Sequence, residues 1–93
     1  MKEENYKYDE PAILKELSMY IDSTYSAHYA GEDRVQAMDL IASGGMLMHF
    51  SAASIIKYAY RFGKKDGMNR KDLLKILHYA MFMLWWMDRN VKQ

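Results

Sequence analysis

The chain has 93 residues, no cysteine and a net charge of +1, with 51% hydrophobic residues. That length suits one domain, read here as 1–93 with residues 1–9 as a loose tail. The missing cysteine excludes disulfides and thiolate-ligated zinc. So short a chain buries a modest share of its surface, so the high apolar content points to a homo-oligomer.

The charge is unevenly spread. Residues 1–50 carry four Lys/Arg against nine Asp/Glu, and residues 51–93 carry nine against three. An acidic half and a basic half suit pairing between subunits or capture of an anionic ligand. The N-terminus Met1-Lys2-Glu3-Glu4-Asn5 has no apolar stretch and is not read as a signal peptide, so a cytoplasmic location is expected.

In chain order, Asp9-Glu10-Pro11 reads as a helix start, because proline is preorganised for the first turn and acidic groups favour the positive helix end. Ile13, Leu14, Leu17, Tyr20, Ile21 and Thr24 then recur at helical spacing. A break is expected over Tyr25–Gly31, followed by a short helix from about Glu32 to Ser43 that Gly44-Gly45 ends. A third helix is expected from about Met46 to Phe62, with Gly63 as its cap. Asn69 then caps a fourth helix running to about Asn90, and Asp72 stands where a capping-box acid would reach back. The fold expected is all-α: a small four-helix domain with a central basic helix–turn–helix.

The second half of the fourth helix, Tyr79 to Met87, is apolar all round and too short to cross a bilayer. Burial at a subunit interface is expected there, with Met81, Leu84, Trp85 and Trp86 as contact residues.

Chemistry concentrates at the hinge Arg61-Phe62-Gly63-Lys64-Lys65. Lys57 and Arg61 share a helical face, Tyr58 and Tyr60 are interleaved, and Arg70 opens the next helix. A helix N-terminus flanked by cations is a phosphate site, for which Lys57, Arg61, Lys64, Lys65 and Arg70 are the candidates. Tyr25, His28, Tyr29 and Tyr58 are the candidates to hold a base or ribose. The plain alternative is that the cations only cap a helix and the histidines only pack. His49 and His78 lack metal-ligand spacing, the carboxylates are scattered, and no P-loop or nucleophile elbow is present. No catalytic residue, metal or cofactor is therefore expected. A DNA reader is disfavoured, since its recognition helix would be too apolar to lie in a groove.

The pattern His28-Tyr29, Asp39, Ile56-Lys57-Tyr58, Arg61, Gly63-Lys64-Lys65, Asp72-Leu73, Lys75 and Tyr79 resembles the DUF3310 family of small phage proteins. The chain departs from it at Ser26, where proline is common, and at Gln36, where glutamate is common. The resemblance implies nucleotide handling in a host cell's cytoplasm during infection, and one relative is known as a nucleotide kinase without a P-loop. Three readings follow. The first is an oligomer that binds or sequesters a nucleotide, including a cyclic immune signal, at a basic aromatic pocket between subunits. The second is a kinase of deoxynucleoside monophosphates, with Asp39 or Asp72 helping to hold a metal. The third is a module that grips a host protein through Tyr79–Met87.

Overall fold

The computed structural model describes residues 5–28 and 37–91, apart from the side chains of Ala27 and His28. They form four helices and no strand: α1 (Glu10–His28), α2 (Ala37–Ser43), α3 (Leu47–Arg61) and α4 (Arg70–Asn90). The chain divides into two compact units, residues 1–34 and 35–93.

In the first unit α1 begins where the Asp-Glu-Pro signal places it. The Asp9 carbonyl accepts from the Ile13 N–H at 3.0 Å, and Glu10 Oε1 accepts from the Tyr8 N–H at 2.8 Å. The helix does not stop at Thr24. It continues through Tyr25, Ser26 and Ala27 to His28, so the first four residues of the expected break are helical. The reason is local: no glycine or proline occurs between Pro11 and Gly31, and nothing in that stretch forces the backbone out of the helix. Ser23 and Thr24 donate back to the Tyr20 and Ile21 carbonyls within the helix. The expected start of the second helix at Glu32 lies outside the described residues.

The second unit is built on glycine-mediated stops. After α2, the Gly45 N–H bonds to the Ala42 carbonyl and the Met46 N–H reaches the Ile41 carbonyl, with Gly45 at φ 77°. This is a Schellman ending, and only a residue without Cβ takes that angle cheaply. After α3, Gly63 at φ 85° turns the chain, and Lys64 Nζ donates to the Tyr60 carbonyl at 2.9 Å. Asn69 caps α4 as expected, its Oδ1 accepting from the Lys71 N–H at 3.0 Å.

Helices α3 and α4 pack along one another in opposite directions. Arg61 meets Asp72 near the turn, Tyr58 and Tyr79 stack further along, and Phe50 meets Tyr79 edge-on beyond them. Leu47 and Leu74 are the buried apolar side chains of this pair, whereas Ser51, Ser54 and Asp72 are its buried polar ones. The seam is therefore unusually polar for so small an interface.

Candidate functional site

The polar seam follows from spacing. Ser51, Ser54, Tyr58 and Arg61 stand three, four and three residues apart on α3, which places them on one helical face. Asp72, Lys75, Tyr79 and Phe82 repeat that spacing on α4. Facing stripes of this kind interdigitate when two helices pack. Their polar members must then satisfy each other away from water.

Tyr58 is the centre of the arrangement. Lys75 Nζ lies 4.8 Å from its ring centroid, Lys57 Nζ 5.2 Å and Arg61 Cζ 5.6 Å. Each is within cation–π range of the ring. Tyr79 stacks on Tyr58 at 6.1 Å with the planes 14° apart. Burial pushes the Tyr79 phenol above its ordinary value of 10.0; a hydrogen bond shared with Ser54 opposes that shift, and the neighbouring Tyr58 adds to it.

Arg61 is held by two unlike carboxylates. Asp72, fully buried, places Oδ1 3.5 Å from Arg61 Nε. Asp66, largely exposed in the turn, places Oδ2 3.9 Å from Arg61 Nη2. Both Asp72 oxygens, Arg61 Nε and Ser51 Oγ are buried without a hydrogen-bond partner among the described residues. Coulomb attraction, rather than hydrogen bonding, thus joins Asp72 to Arg61.

Asp72 corrects an expectation. Its position suits a capping box, yet the Asn69 N–H bonds to the Gly67 carbonyl and the Asp72 side chain turns to Arg61 instead. The start of α4 consequently already has an anion in its first turn, which satisfies the helix dipole from within.

The expected phosphate residues separate into groups. Lys57 and Arg61 converge on Tyr58. Lys64 does not: it lies 4.4 Å from the Tyr60 ring and caps α3. Lys65 and Arg70 are exposed at the turn and at the start of α4. Lys75, not among the expected site residues, is the nearest cation to Tyr58. Its signal was the four-residue spacing to Tyr79 on the face that meets α3.

Of the expected base-holding residues, Tyr58 sits in the seam, while Tyr25 is exposed on α1. His28 belongs to α1 by its backbone and not to a loop, and Tyr29 lies outside the described residues. Among the described residues no group of three potential metal ligands is found, and no helix is long and apolar enough to cross a membrane.

The apolar end of α4 is not enclosed by the described chain. Met81, Leu84 and Trp85 are exposed and Trp86 is half-buried in the single chain, at the positions expected to meet another subunit. One face packs on α3, and a single neighbour covers only one side of a helix. Arg89 lies over Trp85 at 4.0 Å. His78 stacks on Phe82 at 4.7 Å, and burial lowers its pKa from 6.5.

Lys57, Tyr58, Arg61, Asp72, Lys75 and Tyr79 of the sequence pattern meet in the seam, and the family model matches residues 23–81, from the end of α1 through α2 and α3 into α4. The chain belongs to the DUF3310 family. That family is described as having no known function. No curated protein and no solved structure matches the chain.

Proposed function

We propose that this DUF3310 protein binds a phosphate-bearing nucleotide, with the phosphate on Lys57, Arg61 and Lys75 and the base against the Tyr58 side of the seam. The observation that carries this reading is the convergence of three cations, from two helices, on one tyrosine. A guanidinium offers a planar fork to phosphate, and an aromatic face accepts any base. Lys64, Lys65 and Arg70 would add an outer field that draws anions in without touching them.

Binding, rather than turnover, suits the residues present. The one buried carboxylate of the seam is engaged with Arg61. Assembly fits the same reading, because Met81, Leu84 and Trp85 offer apolar surface to further copies. An oligomer with repeated sites would sequester a nucleotide effectively. The likeness to small phage proteins gives such capture a use, namely removal of a host signalling nucleotide, cyclic ones included.

The test is calorimetric titration of the purified protein with nucleoside mono-, di- and triphosphates and cyclic dinucleotides. At least one should bind at micromolar protein, and Lys57→Ala and Lys75→Ala should each weaken it about tenfold or more, the loss typical of one charged hydrogen bond. All ligands remaining unbound would sink the reading. Diphosphate product from ATP and dTMP would replace it with the kinase reading.

A further inference from the structure

The two carboxylates on Arg61 have unequal holds on it, and the inequality has a functional meaning that rests on the phosphate-binding reading. Asp72 is inside the seam, its side chain 1% exposed, and removing it from Arg61 would leave a buried charge without its counter-charge. Asp66 is outside, its side chain 63% exposed, and lies against Nη2 rather than Nε. Water takes the place of Arg61 on Asp66 at little cost, since an exposed ion pair is weak. The Arg61 side chain itself is 24% exposed, so it is partly open to an incoming anion.

We propose that Asp66 is an exchangeable occupant of the phosphate position. Its carboxylate stays at Arg61 Nη2 until a ligand phosphate displaces it, while the buried Asp72 stays at Nε and keeps the guanidinium beside Tyr58. The backbone favours this placement. Asp66 has φ 61°, a left-handed angle that Asp and Asn tolerate better than other residues with a Cβ. The turn glycines on either side, Gly63 at φ 85° and Gly67 at φ 67°, are joined by a Gly63 N–H to Gly67 carbonyl bond of 3.0 Å. That bond closes the loop and presents Asp66 over the end of α3. A closed five-residue loop returns its carboxylate to one place, as a competitor for a fixed site requires.

The substitution that isolates the effect is Asp66→Asn, which keeps shape and suits the same backbone angle. Inorganic pyrophosphate is the probe, because it tests the phosphate position without a base, and calorimetry at low ionic strength is the readout. Asp66→Asn should bind pyrophosphate about two- to fivefold tighter than the unaltered chain, the range an exposed ion pair spans. Asp88→Asn, an equal charge change on an exposed residue at the far end of α4, should leave affinity unchanged. The gain should shrink as salt is raised, since exposed charges are screened. Unaltered protein that binds pyrophosphate, with Asp66→Asn binding equally or more weakly, would overturn the exchange and leave the phosphate site standing. An equal gain in Asp88→Asn would overturn it too, by reducing the effect to net charge. If neither form binds pyrophosphate, the phosphate site falls with it.

Discussion

The two ends of α4 treat their surroundings in opposite ways. At the turn, the buried Asp72 is answered by Arg61 from α3, and the seam closes with charges inside. Three turns on, Met81, Leu84 and Trp85 are apolar and stand exposed on the same helix. Burial of polar groups where apolar ones would stabilise more, and exposure of apolar ones where polar ones would dissolve better, both run against folding alone. The contrast teaches that the turn end is specified from within the chain, whereas the far end has surface suited to a partner.

Breaking the turn end should have the largest effect. Arg61→Ala leaves Asp72 buried without its counter-charge, which typically costs about 3–5 kcal/mol. In so small a domain that is enough to lose the α3–α4 pair, and circular dichroism should show reduced helix content or a much lower Tm. For this reason the lysines, and not Arg61, are the informative binding variants. Replacing both partners, as Arg61→Met with Asp72→Leu, should restore stability, because a buried pair exchanged for apolar groups is often neutral or better. Failure of the double variant to recover would mean that the pair does more than neutralise itself.

At the far end the expected effect is smaller and of another kind. Trp85→Ala removes a side chain that is 46% exposed in the single chain, so the fold should lose little. In an assembly, however, a tryptophan at the centre of an interface is worth about 2 kcal/mol or more, roughly thirtyfold in association. Sedimentation equilibrium separates the two. Weakened self-association with an unchanged Tm would assign Trp85 to an interface between copies; a lowered Tm with no change in association would assign it to the fold of the single chain.

The smallest effect lies between the two ends, at His78. Its folded pKa is lowered by burial, so the unfolded chain binds more protons as pH falls. His78 therefore contributes no penalty above its ordinary pKa of 6.5, and stability is lost as pH drops through that value toward the folded one. Thermal melts from pH 7.5 to 5 should show this decline, and His78→Phe, which keeps a ring against Phe82, should flatten part of it. An identical slope in the variant would assign the decline to other groups.

Much of the fold could be read from residue order, because helix ends are local events. Pro11, Gly45, Gly63 and Asn69 each act through their own backbone or the next two residues, and each does what its chemistry implies. The helix through Tyr25 to His28 was missed because aromatic residues and a histidine suggest a loop but do not enforce one. The site was half visible. Lys57 and Arg61 share a face by spacing alone, but their meeting with Lys75 depends on how α3 and α4 register, which no local pattern specifies. Asp72 is the instructive case: one spacing suits both a cap and a tertiary ion pair, and the partner eleven residues earlier prevails. The available signal was serine, tyrosine and arginine on a face that should have been apolar.

Receipt of a phosphate-bearing ligand by the Tyr58 seam, as proposed, can be observed residue by residue. The most direct measurement is an NMR titration with the tightest nucleotide from calorimetry, following the Arg61 Nε–H and the tyrosine ring resonances. Arg61 and Tyr58 should shift together with the amides of Lys57 and Lys75, while those of Leu84 and Trp85 stay in place. Saturable binding that leaves Arg61 and Tyr58 unmoved would contradict it.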